Sequence, residues 1–382
     1  MNVNQSQVCR KCSYDINALT ATHCEICDQP LKRALISPSS KLLTELSSAP
    51  PVLWFCLLIL LLITTQAGYL FWMSQIRMNR VLPPVSASNR SGSSDIQLYK
   101  SMQEVQNVPD GLFNYSSAQQ FAALVSHGTN QAIAQAHPKF RLRFTEPVNN
   151  LPGSGSVIAM LINNQVSFGQ TARPLETAEY INARQHNSNL EEIAVGFDGV
   201  VFYTNQGIPL TGLSVAQLQA IFMGKVVNWK ELGGPDLPIV PFSLDPETTT
   251  SIRVLFAGLK DASLGRNVQI VRDYTEETRK VAATPGGISY GSIATVIDQR
   301  TVHPIGLAKA QSKEYIQPFT PNHQVNAEVI RNGTYPLTRR LFVVVRRDGL
   351  LDEQAGVAYT NLLLSVEGQK LIEKAGFVAL RL

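Results

Sequence analysis

The stretch PLTGLSVAQLQAIFMGKVVNWKELGG, from Pro209 to Gly234, decides the fold. Ser214 is suited to cap a helix, because its side-chain oxygen can accept from the first free backbone N–H groups. Leu218, Ile221 and Phe222 follow at i, i+3 and i+4, an apolar stripe that faces a core. Gly224 ends the helix. Trp229 then falls in a second short turn that closes at Gly233 and Gly234. A buried amphipathic helix of any α/β domain accounts for the stripe. It does not account for the whole pattern LxxxQLxxIFxGxxxNWxxLGG.

Outward from this stretch, apolar runs alternate with helical stripes from Val108 to the C-terminus. FRLRFTEPV (Phe140 to Val148) alternates as a strand does, and the turn PGSGS precedes the helix VIAMLINNQ and the strand VSFGQT. EEIAVGFDGVVFYTN and PIVPFSL read as strands, and SIRVLFAGL as a helix. GGISYGSIATV, the strand RRLFVVVRRD and the helices EQAGVAYTNLLL and SVEGQKLIEKAG follow. Alternation of this kind predicts an α/β domain, a parallel or mixed sheet covered by helices. Ligands of such sheets bind beyond the carboxyl ends of the strands.

The pattern from Leu213 to Gly234 resembles the phosphate-binding-protein branch of the type 2 periplasmic solute-binding proteins, the receptors of phosphate ABC transporters. The resemblance covers nearly all of residues 108–382. FNYSSAQQFAAL is similar to the family's first anion loop, PGSGSVIAMLINNQVSFGQTARPL to its second glycine- and serine-rich segment, and TPGGISYGSIA to its PGAIGYxSxx. YPLTRRLFVVV, from Tyr335, matches the strand that returns to the first lobe. The resemblance implies two α/β lobes joined by two crossings, with lobe one over about 108–193 and 302–382 and lobe two over about 194–301.

The implied chemistry is the holding of an oxyanion by hydroxyls, by backbone N–H groups at helix N-termini and by one arginine. The first loop supplies Ser116 and Ser117, ahead of a helix from Ala118. The second supplies Ser154, Gly155 and Ser156, opening a helix at Val157. Thr171 stands at the strand end. Where the family reads SGTR, alignment through Phe256 gives Thr250, Ser251, Ile252 and Arg253, with Thr249 beside them. The guanidinium of Arg253 can clamp an oxyanion with two N–H bonds. Several positions depart from the family. The first loop reads SAQQ (Ser117 to Gln120) in place of GSTT, and Ser251 and Ile252 replace a glycine and a threonine. Phosphate-specific members place an aspartate where this chain reads Thr171-Ala172-Arg173. Without that acceptor, discrimination of phosphate from sulfate should weaken. Asp198, in VGFDGVVF, resembles a family position near the hinge, or else caps a turn with Gly199.

The first hundred residues carry a different organisation. Cys9, Cys12, Cys24 and Cys27 form two C-x2-C pairs separated by eleven residues. Two such turns present four thiolates to one tetrahedral Zn2+ with no open position, a structural site. The segment 1–33 resembles minimal zinc ribbons, and so short a segment needs a staple to fold. A pair of disulfides, or an unfolded reduced tail, is the alternative. A serine-rich linker spans 34–50. No charged residue occurs from Leu46 to Ile76, and VLWFCLLILLLITTQAGYLFWM (Val52 to Met73) is long enough to cross a bilayer. Aromatics stand at both ends of it, at headgroup level. The span, 51–74, is read as a retained helix rather than a cleaved signal peptide, because a signal peptide begins near the N-terminus and is shorter. Residues 75–106 are polar with Pro and Ser, a flexible tether.

Basic residues flank both sides of the span about equally, so the positive-inside count does not orient it. Thiolates need a reducing compartment, which puts the N-terminus in the cytoplasm. The domain after residue 100 has no cysteine and suits the extracytoplasmic side. The expectation is a single-pass inner-membrane protein with its C-terminal domain in the periplasm.

The net charge of +4 on 382 residues is too small to argue for nucleic acid. The histidines are scattered, and no G-x-S-x-G, HExxH or P-loop motif occurs, so an enzyme is not expected. Two functions compete. One is a tethered receptor for phosphate or a related oxyanion, partnering an ABC transporter permease or reporting anion level. The other is an interaction protein with a degenerate cleft that binds another envelope protein.

Overall fold

The computed structural model of the chain describes residues 96–381, except 149–151, 247–250, 260–261, 310–311 and 313, together with 7–8 and 15–16. The four cysteines of the expected ribbon, the linker 34–50, the span 51–74 and the tether up to residue 95 lie outside the described residues. Near the N-terminus, Gln7–Val8 pairs antiparallel with Asp15–Ile16. Among the described residues, no helix is long and apolar enough to cross a membrane, and no cluster of three His, Cys, Asp or Glu side chains could hold a metal.

Strand β1 (Gly111–Ser117) leads through a short 3-10 turn to α1 (Ala122–Ser126) and α2 (Thr129–Ala136). Strand β2 (Phe140–Phe144) precedes α3 (Ser154–Ile162), and β3 (Phe168–Thr171) precedes α4 (Thr177–Gln185). The long β4 (Leu190–Asn205) then enters the second half. There β5 (Gly212–Ser214), α5 (Val215–Phe222), β6 (Val240–Leu244), α6 (Ser251–Leu255), β7 (Gln269–Val271), α7 (Tyr274–Ala283), β8 (Gly287–Ser292) and α8 (Ile293–Val296) follow. The chain continues through β9 (Val302–Pro304), β10 (Gly306–Ala308) and α9 (Ala327–Arg331). It returns by β11 (Thr338–Arg346), α10 (Leu351–Leu364), α11 (Val366–Lys374) and β12 (Val378–Ala379).

The deciding stretch folds as its residues dictate. Ser214 Oγ accepts from Gln217 N at 3.2 Å while Gln217 Oε1 accepts from Ser214 N at 2.8 Å, a reciprocal cap on α5. Leu218, Ile221 and Phe222 are buried, and Gly224, at φ +72°, takes the left-handed turn that L side chains rarely adopt. The Trp229 indole N–H donates to the Gly286 carbonyl at 3.0 Å, tying the second turn to β8.

The main sheet has the order β2-β1-β3-β11-β4-β8-β6-β7. Strands β1, β2 and β3 are mutually parallel, as are β6, β7 and β8. Both triplets join through β4. At 16 residues this strand is about 50 Å long, enough to serve two cores. Its first part pairs with β11, from Leu190↔Arg346 to Gly199↔Thr338, with a bulge at Leu341/Phe342. Its second part pairs with β8, from Val200↔Ser292 to Thr204↔Ile288.

The two largest hydrophobic cores of the described residues follow from this arrangement. One gathers Phe113, Tyr115, Phe168, Val343 and Tyr359, and the other gathers Phe202, Phe222, Trp229, Phe242 and Tyr290. They are the cores of the two lobes that the resemblance implies. On lobe one, α3 lies directly on β3: a Cβ at Gly169 would sit 2.5 Å from Val157 Cγ1. That close approach brings the start of α3 down to the strand ends.

Two boundaries differ from the sequence expectation. The segment 302–337, expected in lobe one, packs Val302, Ile305, Leu307, Ile330, Tyr335 and Leu337 into the lobe-two core. Strand β9 adds to the lobe-two part of β4, and β10 pairs with β5. The return crossing is therefore β11, near Thr338. The end of the expected tether is also built into lobe one. Met102 and Val105 are buried there, Met102 N donates to Glu367 Oε2 at 2.9 Å, and Val366 N donates to the Tyr99 carbonyl at 3.0 Å.

Candidate interlobe site

The loops after β1, β2, β3 and β6 all leave from carboxyl ends of parallel strands. Parallel pairing of β1 with β3 sets Ser116 opposite Gly169 and Ser117 opposite Gln170, and Ala118 N donates to the Gln170 carbonyl at 3.0 Å. Ser154 Oγ accepts from Ala172 N at 3.1 Å. The first loop, the start of α3 and the strand end at Thr171 are thus joined by hydrogen bonds.

These hydroxyls differ in what they have left to give. Ser116 is fully buried and its Oγ has no hydrogen-bond partner among the described residues. Gln120, in the same loop, is buried with its Nε2 unpartnered. An unmade bond on a buried donor is costly, which makes both atoms candidates for holding a polar guest. Ser117 is buried beside them. Ser156 Oγ is turned back on its own loop, accepting from Gly153 N at 3.0 Å and donating to the Gly153 carbonyl at 2.9 Å. Thr171 Oγ1 donates to the Arg173 carbonyl at 3.0 Å. Both of these brace the loops. Helix α3 starts at Ser154, three residues before the expected Val157, so Ser154 and Gly155 present the first, unpaired N–H groups of the helix.

Arg173 is neither exposed nor aimed at solvent. Its guanidinium lies against the first turn of α3, where a Cβ at Gly155 would be 3.6 Å from Nη2. It binds Glu179 in a fork, Nη1 to Oε2 at 2.8 Å and Nη2 to Oε1 at 2.6 Å. Burial pulls the Arg173 pKa down, but the carboxylates of Glu179, Glu176 and Glu192 outweigh it and hold the group above its ordinary value. Glu192, which accepts from Leu175 N, is itself raised: burial and the nearby Glu179 carboxylate outweigh that bond and the Arg173 charge.

From lobe two, α6 supplies Ser251 and Arg253, while Thr249 and Thr250 lie outside the described residues. Arg253 reaches across to lobe one, donating from Nη2 to Glu176 Oε1 at 2.6 Å. Ser251 Oγ accepts from Arg339 Nη1 at 3.0 Å and lies 3.4 Å from the Tyr274 hydroxyl. Arg339 is buried at the start of β11 and pairs with Asp198 through Nε at 2.8 Å and Nη2 at 2.6 Å. The other Asp198 oxygen accepts from Ser292 Oγ at 2.7 Å and Ile293 N at 3.1 Å. Asp198 therefore stands within the crossing strand β4 rather than at a turn with Gly199. The pair connects the crossing strands to the α6 loop.

Gln120, Glu176, Arg339 and Tyr274 escaped the sequence reading. Arg339 had a readable signal: Asp198 sits in the apolar strand GFDGVVF, and a buried carboxylate needs a cation. Cavities of about 400 Å³ beside Arg272 and Arg279 and about 320 Å³ beside His137 and Lys139 include none of these residues.

Comparison with known proteins agrees with this geometry. The family described as PBP superfamily domain matches residues 114–367. The phosphate-binding protein PstS of Borreliella burgdorferi is 22% identical over 272 residues, covering 68% of this chain and 90% of that protein. In fold, the chain is similar to a putative phosphate ABC transporter substrate-binding protein of Clostridium perfringens, solved with bound phosphate. Their TM-score is 0.58 at 22% identity, covering 70% of this chain and 99% of that one. An ABC-type phosphate transport receptor of Vibrio cholerae gives a TM-score of 0.54 at 21% identity, covering 70% and 99%. With two α/β lobes, a shared crossing strand and loops converging at the strand ends, the chain belongs to the PBP superfamily domain family.

Proposed function

We propose that residues 107–382 form a receptor for phosphate or a related oxyanion, bound between the lobes. The observation that carries this reading is the meeting of donors from both lobes at one seam. The unpartnered hydroxyl of Ser116, the start of α3 at Ser154 and Gly155, and the guanidinium groups of Arg173 and Arg253 come from loops of both lobes. Similarity to phosphate-binding proteins supports phosphate as the first guest to test. Binding rather than catalysis is the activity proposed, in keeping with the substrate-binding proteins to which the chain is similar. Closure on the guest shifts the lobe equilibrium and supplies the signal.

The rest of the reading comes from the sequence. The span 51–74 anchors the chain in the inner membrane, the segment 1–33 holds one structural Zn2+ through Cys9, Cys12, Cys24 and Cys27 in the cytoplasm, and the receptor faces the periplasm. A permease of an ABC transporter is the matching partner.

Titration calorimetry of the full chain with phosphate and with sulfate tests the receptor reading. Heat at a stoichiometry of about one supports it, and no heat with either anion overturns it. A second reading, an interaction protein with a repurposed seam, is favoured by one observation: Arg173 and Arg253 already have carboxylate partners.

A further inference from the structure

Glu176 stands immediately before α4, so its backbone is fixed by the helix start. Its N–H donates to Glu179 Oε2 at 2.7 Å. Its Oε1 lies 2.6 Å from Nη2 of Arg253 in lobe two and 3.5 Å from Nε of Arg173 in lobe one. One carboxylate oxygen therefore sits between a cation of each lobe, the position an oxyanion oxygen takes when it bridges them. The two cations are not equal. Arg173 is forked onto Glu179 and its side chain is only 13% exposed, whereas Arg253 makes one contact with Glu176 and is 51% exposed. Arg253 is the exchangeable one.

We propose that Glu176 is a built-in competitor for the guest. In the empty protein its carboxylate holds Arg253 and latches the lobes together. On binding, a phosphate oxygen takes Arg253 and the carboxylate moves into water. No charge or atom is lost in the exchange, and a dianion outbids a monoanion for the same guanidinium. The latched form cannot take a guest at Arg253, so it lowers the apparent affinity by the fraction of protein it occupies. The competitor role rests on the receptor reading above. The latch itself does not, because it is a property of the empty protein.

The test uses the full chain and the variants Glu176→Gln and Arg253→Gln, with Asp236→Asn, which breaks the exposed Lys230–Asp236 pair of lobe two, as control. Amide exchange is followed in the absence of anion. Glu176→Gln should speed exchange across 251–258 in lobe two, and Arg253→Gln should speed it across 174–180 in lobe one, while the control changes neither. Each effect appears on the lobe that was not altered, which a local loss of helix capping cannot produce. In phosphate titration, Glu176→Gln should bind about two- to fivefold tighter, the range for a half-exposed pair, and Arg253→Gln should bind more weakly. Exchange changes confined to the altered lobe overturn the latch, and weaker or unchanged phosphate binding by Glu176→Gln overturns the competitor role. If neither the parent chain nor Glu176→Gln binds phosphate or sulfate yet the cross-lobe exchange appears, the receptor reading falls and the latch stands.

Discussion

Among the arginine–carboxylate pairs that join the halves of this protein, two differ in almost everything but chemistry. Asp198–Arg339 lies at the crossing strands with side chains 0% and 5% exposed. Glu176–Arg253 spans the rim with side chains 44% and 51% exposed. The inner pair is buried and held by protein groups, Ser292 Oγ, Ile293 N and Ser251 Oγ among them. Burial lowers the Arg339 pKa, yet the Asp198 charge, the nearby Tyr274 and the hydrogen bonds to both together outweigh it, and the net shift is upward. The rim pair keeps water as an alternative partner. The same two groups therefore build a fixed joint in one place and an exchangeable contact in the other.

The contrast can be broken most forcefully at the joint. Asp198→Ala leaves Arg339 buried without its counter-ion and should cost about 3–5 kcal/mol of stability in urea unfolding. Combining it with Arg339→Met should restore part of that loss, since an unpaired buried charge is the larger penalty. A loss below about 1 kcal/mol for Asp198→Ala would equate the joint with the rim.

A third buried acid sharpens the role of desolvation. Glu277 in α7 is buried beside Ser289 and Tyr203. Burial drives its carboxyl well above the usual 4.5, against the downward pull of those two hydroxyls. The folded chain keeps this proton at pH values where the unfolded chain has released it. The contribution of Glu277 is thus complete below pH 4.5 and declines as pH rises toward the folded pKa, with a slope of at most about 1.4 kcal/mol per pH unit. Glu277→Gln should flatten that decline in thermal melts between pH 5 and 7, and an unchanged pH profile would show the carboxyl ionised in the fold.

Smaller effects follow. Ser214→Ala removes the cap of α5 and should cost about 1 kcal/mol, read by urea unfolding. Arg253→Ala should change stability by less than about 1 kcal/mol. A larger loss would make the rim pair a second joint.

How far the sequence could be read follows the range of the interactions involved. The helix from Val215 to Phe222 was legible because its cap, stripe and stop lie within a dozen residues. So was the alternation that predicts the sheet. The place of 302–337 was not: Val302, Ile305 and Leu307 announce a buried strand without saying which core it joins. The candidate site divides in the same way. Ser116, Ser154 and Gly155 stand at strand ends, where the topology brings loops together. The engagement of Arg253 was hidden, because its partner Glu176 is 77 residues away and belongs to the other lobe. Ser156 and Thr171 read as ligand donors by resemblance, yet each spends its proton on a nearby carbonyl, a local competition that residue type does not reveal.

An oxyanion site shared by the lobes can be checked by titrating the full chain with phosphate and following the heat. Saturable binding of about one phosphate per chain is expected, with Arg253→Gln binding more weakly. Absence of heat with phosphate and with sulfate, or affinity unaltered by Arg253→Gln, would contradict it.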